Sequence, residues 1–183
     1  MVLISQNVIF GRLFPLSYKL RRNFFSQSRK VYREQRLLGY SKEQMFQIVS
    51  RVEDYHLFLP ACTKSLVISR NPKLVKAELE IGFPPMIVEK YVSHVELDRP
   101  TLVRAQCFDG RLFKHLITEW RFSDGVSDDS GTCTIDFFID FEFRSPFYAK
   151  LANAVFDQMV HQTINCFLQR AREVYGRPRL KAI

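Results

Sequence analysis

From Thr132 to Phe143 the chain alternates almost without interruption. Cys133, Ile135, Phe137, Ile139, Phe141 and Phe143 share one parity; Thr132, Thr134, Asp136, Phe138, Asp140 and Glu142 share the other. Successive side chains of a strand point to opposite faces, so this stretch reads as an antiparallel strand with one buried face and one wet face. On that reading Asp136 and Asp140 face solvent. The strand runs straight into a helix signal. Ser145 suits the N-cap, Pro146 the first helical position, and Gly176 with Pro178 the stop. Between them an apolar stripe passes through Tyr148, Ala152, Val155, Phe156, Met159, Val160, Ile164, Phe167, Ala171 and Val174, with Lys150, Asp157, His161, Asn165 and Arg172 opposite. A one-faced strand beside a long one-faced helix predicts an α+β layer, with the helix from Pro146 to Tyr175 lying across the concave face of a curved antiparallel sheet. A sheet gripping one helix often closes incompletely, and a cavity then remains between them.

The preceding residues supply the rest of that sheet. Tyr32–Tyr40 reads as a first strand. Ser41 and Gln44 form a capping box for a helix through Met45, Phe46, Ile48, Val49 and Val52, and a short second helical turn ends at Pro60. Strands follow over 64–70, 73–81, 87–97, 101–108 and 111–122, the last two joined by the hairpin signal Asp109-Gly110. Alternation puts Lys64, Leu66 and Ile68 on one face, and Val75, Ala77, Leu79 and Ile81 on the apolar face of the next strand. It groups Trp120 with Leu112, Leu116 and Phe122, and His115 with Phe113 and Ile117. The turn Gly82-Phe83-Pro84-Pro85-Met86 is stiffened by two prolines and carries apolar residues where a hairpin tip is normally polar. Such a tip needs a partner: the core, a lipid surface or a bound apolar ligand.

Charge divides the chain. Residues 1–36 hold eight Lys or Arg against the single acid Glu34, a net of +7 out of +8 for all 183 residues. The body is therefore nearly neutral, which argues against a nucleic-acid partner. The acid-free start, rich in Arg, Leu, Phe and Ser, reads as a mitochondrial transit peptide over residues 1–30; Arg12 and Lys19 interrupt the apolar run a secretory signal needs. The domain then spans 31–176, with a tail at 177–183. Cys62, Cys107, Cys133 and Cys166 have no C-x-x-C spacing, and the four histidines no metal-binding pattern, so no metal is expected. Neither a phosphate-binding glycine loop nor a G-x-S-x-G elbow is present. The residues that could reach a cavity as acids or bases are Glu89, Tyr91 and His115; each also fits an ordinary structural role.

Five strings, YREQRLLGYS (32–41), DYHLFLPACTKS (54–65), LEIGFPP (79–85), DGRLFKHLITEWRF (109–122) and TCTIDFFIDFEFRS (132–145), resemble the mitochondrial coenzyme Q-binding proteins of the polyketide cyclase/START-like superfamily. The resemblance covers about residues 31–176. One departure stands out: the family usually has Pro-Trp-Cys where this chain has Pro60-Ala61-Cys62. The resemblance implies a helix-grip (START-like) fold with a hydrophobic tunnel between the sheet and the C-terminal helix. It implies binding of ubiquinone, or its late polyprenyl precursors, on the matrix side of the mitochondrial inner membrane as a peripheral protein. The implied role is a lipid chaperone serving respiratory electron transport and quinone biosynthesis, with enzymes of either process as partners. It implies no catalysis and no cofactor; ubiquinone would be the cargo.

With strand faces taken from alternation, the expected lining is Leu66, Leu79, Phe83, Pro84, Met86, Trp120, Phe137, Phe141, Val155, Phe156 and Met159. Two other readings stay open on the same fold. A cyclase- or aromatase-type enzyme needs ionisable groups aimed into the cavity, and a ribosome-associated module needs a basic stripe on the folded surface.

Overall fold

The computed structural model describes residues 29–83, 87–108 and 111–180. Seven strands, β1 (Arg29–Leu38), β2 (Cys62–Arg70), β3 (Leu74–Phe83), β4 (Ile87–Asp98), β5 (Leu102–Cys107), β6 (Phe113–Asp124) and β7 (Cys133–Phe143), form one antiparallel sheet. Between β1 and β2 come helix α1 (Lys42–Ser50), a 3-10 turn (Val52–Asp54) and the short helix α2 (Tyr55–Phe58); helix α3 (Pro146–Tyr175) closes the chain. The strand order is β1-β7-β6-β5-β4-β3-β2. Strands β2 to β7 form a meander, and β1 returns to pair with β7. The two edge strands are thus consecutive in sequence, and α1 and α2 carry the chain from one edge to the other.

Local chemistry accounts for the helices. The Ser41 hydroxyl accepts from the Gln44 N–H at 3.2 Å while the Gln44 side chain accepts from the Ser41 N–H at 2.9 Å, the reciprocal capping box that starts α1. Its buried face, Met45, Phe46, Ile48 and Val49, packs toward the sheet end and α3. Helix α3 starts at Pro146 and stops where Gly176 takes a φ of 83°, a left-handed conformation that favours glycine. Ala149, Val160, Ile164, Phe167 and Ala171 are buried among its described side chains. Val174, expected on that stripe, is 48% exposed; the chain is leaving the core there, and Tyr175 packs against it instead.

The structure revises several boundaries and faces. Strand β1 opens at Arg29, so Arg29 and Lys30, assigned by sequence to the leader, are strand residues, and the strand ends at Leu38 rather than Tyr40. Residues 1–28 and the Asp109-Gly110 turn lie outside the described residues. The tail is docked over the residues described: the Arg179 N–H donates to the Gly39 carbonyl at 3.0 Å and its side chain to Asp129 at 2.8 Å. Any Cβ on Gly39 would stand 2.4 Å from the Leu180 backbone nitrogen, so the tail can cross only over a glycine.

Irregularities in β2 and β6 change which side chains face inward. An irregularity between Cys62 and Lys64 leaves Cys62, Ser65 and Val67 toward the core and Leu66 51% exposed on the convex face. Leu66 therefore does not line the cavity; one inserted residue inverts the parity of the residues that follow, here as far as Val67, after which an irregularity between Val67 and Ser69 restores it. On β6 a bulge between Phe113 and His115 separates those two residues. Phe113 is buried inward, while His115 bonds to Asp140 on the convex face. Asp140 itself, expected in solvent, is 6% exposed because Arg29 and His115 cover it.

Candidate functional site

The concave face is built in rows by strand register. Val103, Trp120 and Phe137 form one row across β5, β6 and β7; Val95, Ala105, Thr118 and Ile139 form the next; Cys107, Leu116 and Phe141 the one after. Helix α3 covers these rows without filling the space beneath it. A cavity of about 610 Å³ remains, floored by β3 to β7 and roofed by Met159, Val160, Thr163 and Phe167 of α3, with Val52 and Tyr55 closing one side. Cavities of ~300–1,000 Å³ are the usual size for small organic ligands.

Aromatic rings dominate the walls. Trp120 stands 4.6 Å from Phe137 and 4.8 Å from Phe167, centroid to centroid, tilted at 57° and 59°. Phe113 meets Phe141 at 5.9 Å and Phe143 at 5.1 Å, and Tyr91 meets Phe113 edge-on at 5.8 Å. Among the described lining residues there is no Asp, Glu, Lys, Arg or His. Three titratable groups of the lining, Tyr55, Tyr91 and Cys62, are held neutral. Burial pushes the Tyr55 and Tyr91 phenols far above their usual range and the Cys62 thiol up to about 11. The Tyr55 hydroxyl is occupied, donating to the Val49 carbonyl at 2.6 Å. The site is thus an uncharged, mostly apolar chamber with a few hydroxyls and the Gln106, Gln158 and Gln162 amides, suited to hold a neutral ligand by area burial.

Of the residues expected to line it, Leu79, Trp120, Phe137, Phe141 and Met159 are in the wall. Pro84 and Met86, and the side chains of Phe83, Val155 and Phe156, lie outside the described residues. Of the three candidate acid–base groups, Tyr91 lines the cavity, Glu89 is half-buried outside its wall, and His115 is on the opposite face of the sheet. Sequence reasoning missed Tyr55, Cys62, Cys107, Thr118 and Thr163. Thr118 shares Trp120's parity and was legible by alternation; Thr163 depends on how α3 is rotated against the sheet. Among the described residues no three His, Cys, Asp or Glu side chains gather as a metal site, and no helix is long and apolar enough to cross a membrane.

A seven-stranded antiparallel sheet gripping one long helix around an uncharged cavity is the architecture of the polyketide cyclase/dehydrase and lipid transport family, whose model matches residues 38–168. The aromatase/cyclase Zhui from Streptomyces sp. R1128 superposes with a TM-score of 0.66 over 80% of this chain and 96% of its own; at 16% identity that likeness shows the fold alone. In sequence, the mitochondrial coenzyme Q-binding protein COQ10 homolog B of Xenopus laevis is 44% identical over 169 residues, 92% of this chain and 68% of that protein. The ribosome association toxin RatA of Escherichia coli is 32% identical over 140 residues, 76% of this chain and 85% of its own. The chain belongs to the family of mitochondrial coenzyme Q-binding proteins within the polyketide cyclase/START-like superfamily.

Proposed function

We propose that this protein binds coenzyme Q or a late polyprenyl precursor in the cavity and carries it as a lipid chaperone, without chemical change to the cargo. The observation that carries this reading is the wall itself: about 610 Å³ lined mainly by aromatic and aliphatic side chains, with a few neutral polar ones and no charged residue among those described. A polyprenyl quinone has an insoluble tail and a modestly polar ring. Burial at about 25 cal/mol per Å² gives ample affinity from the ring and a few isoprene units, while a shape-tolerant wall permits release. A general acid–base enzyme would need a side chain that changes protonation near neutral pH, and the lining phenols and the Cys62 thiol are pushed away from that range.

On this reading the protein works at the matrix face of the inner membrane as a peripheral protein, and hands quinone to biosynthetic or respiratory enzymes. The apolar sequence Phe83-Pro84-Pro85-Met86 would meet the bilayer. Phe83→Asp and Met86→Asp then reduce flotation with cardiolipin-containing liposomes while circular dichroism is unchanged; undiminished flotation of a folded variant removes the membrane contact from the reading. The ribosomal alternative draws support from the RatA relation. The convex face, however, interleaves its bases with acids, Arg104 with Glu96 and Glu119, and Lys90 with Glu78 and Glu80. That pattern offers a phosphate backbone little continuous positive charge.

The deciding experiment is mass spectrometry of the organic extract from protein purified out of a quinone-producing host. Near-stoichiometric ubiquinone or a precursor supports the proposal. Phospholipid or nothing, with added quinone also failing to bind, overturns it.

A further inference from the structure

Polar groups occur along the cavity wall, at Gln106, Thr118, Gln158, Gln162 and Thr163, but two hydroxyls stand together on one strand. On β4, Tyr91 and Ser93 lie on the concave face two residues apart, and both line the cavity. Ser93 is buried and Tyr91 half-buried, and both hydroxyls open onto the cavity rather than onto a protein hydrogen-bond partner among the described residues. A hydroxyl that faces an apolar cavity takes its hydrogen bond from whatever fills that space, so two of them side by side on one wall suit an occupant that accepts hydrogen bonds. Flat apolar surface lies beside them: Phe113 against the Tyr91 ring, and Phe141 against Phe113. The far end of the chamber is different. Trp120, Phe137 and Phe167 close on one another there, and the neighbouring Val103 adds hydrocarbon.

Resting on the coenzyme Q reading, we propose that Tyr91 and Ser93 form the head-group subsite, donating hydrogen bonds to the carbonyl or methoxy oxygens of the quinone ring. The ring lies against Phe113 and Phe141. The Trp120 end takes hydrocarbon, the first isoprene units of the tail. The class of ligand selected is therefore a neutral oxygen-substituted ring on a polyprenyl chain, in preference to a polyprenyl or acyl chain alone. Tyr91 is suited to donate because its buried phenol stays protonated throughout the physiological range.

The test uses the full chain with two probes: a short-tailed ubiquinone, and a benzene carrying the same prenyl tail but no ring oxygens. Affinities are measured for the wild type, Tyr91→Phe, Ser93→Ala and the double variant, with circular dichroism and thermal melting to establish folding. Each lost hydrogen bond is expected to weaken quinone binding roughly 2- to 12-fold and to leave the oxygen-free probe unchanged. Infrared difference spectra of carbonyl-labelled ubiquinone should show the bound carbonyl stretch moving back toward its free value in Tyr91→Phe, a change that loosened packing alone would not give. Wild type that binds both probes equally overturns the proposal, and needs no variant to fold. So do folded variants with unaltered quinone affinity and spectrum. Wild type that binds no quinone overturns the coenzyme Q reading and this inference with it, whereas quinone binding indifferent to both hydroxyls overturns the inference alone.

Discussion

Arg29 reaches across the seam between β1 and β7 to donate two hydrogen bonds to Asp140, from Nε at 2.9 Å and from Nη2 at 2.6 Å, one to each carboxylate oxygen. His115 Nε2 lies 3.0 Å from the same carboxylate. An edge strand is thereby tied to the sheet by a side chain at its first residue.

This pair predicts an acid-sensitive fold. The Arg29 hydrogen bond holds the Asp140 carboxyl below the usual carboxylate range; burial opposes it, and His115 adds a second favourable bond. A depressed carboxylate contributes stability above its unfolded value of about 4 and loses it as pH falls through the lower folded value. Asp140→Asn should therefore lower stability by roughly 1–3 kcal/mol at neutral pH and flatten the loss that sets in as pH falls below the ordinary carboxylate value of about 4. Urea unfolding from neutral pH to below that value checks both effects. An acid limb as steep as the wild type's would remove Asp140 from the account.

The single Trp gives a direct reading of the chamber. Trp120 is 4% exposed and lines the cavity between Phe137 and Phe167. Saturable quenching of its fluorescence is expected as ubiquinone is added. Trp120→Ala should cost about 3–5 kcal/mol through lost packing and enlarged cavity volume. Trp120→Phe keeps a ring in place, stays folded, and should weaken retention of the isoprenoid end. If quinone binds and the emission does not change, the ligand does not occupy this end.

What was legible in the sequence follows from where one rule sufficed. The alternation of β7 and the span of α3 could be read because each element keeps one period over its whole length. The Ser41–Gln44 cap was legible because its two bonds are local. Leu66 and His115 were misplaced because a bulge is a property of pairing between strands, and nothing in the alternation of one strand marks it. Asp140 looked solvent-facing since its parity is outward; what buries it is Arg29, 111 residues away. The cavity wall was half legible for the same reason. Strand residues such as Phe137 and Phe141 follow parity, whereas Tyr55 enters from the connection between the edge strands, and its inward ring is fixed by the bond to Val49.

Cys62 offers a chemical gauge of occupancy. Its thiol lines the cavity, donates to the Lys64 carbonyl at 3.4 Å, and is raised by burial to about 11. The thiolate is the reactive form, so alkylation by iodoacetamide should be slow at neutral pH and accelerate up to about pH 11 rather than levelling near the usual 8.5. The sign for stability is the reverse of Asp140's. A raised thiol leaves stability intact below its unfolded value and erodes it as pH climbs toward the folded one. Bound quinone should slow Cys62 modification, measured by peptide mass spectrometry; equal rates with and without saturating quinone would place the ligand away from β2.

Ala61 tests the one departure from the family pattern. It lines the cavity beside Pro60 and Cys62, and its backbone is pinned by the Gly82 N–H, which donates to the Ala61 carbonyl at 2.8 Å. The methyl group leaves open space where the family usually carries an indole. In Ala61→Trp the fixed backbone directs the new ring over the cavity wall instead of letting the loop swing away. An added contact of roughly 50 Å² at about 25 cal/mol per Å² corresponds to about tenfold slower release of bound quinone. Stopped-flow transfer of a short-tailed ubiquinone from the protein to acceptor vesicles measures this. Slower release with capacity retained makes position 61 part of the rim and explains the alanine as a wider opening. Loss of capacity instead means that the indole occupies the ligand's own volume, and position 61 then belongs to the floor of the chamber.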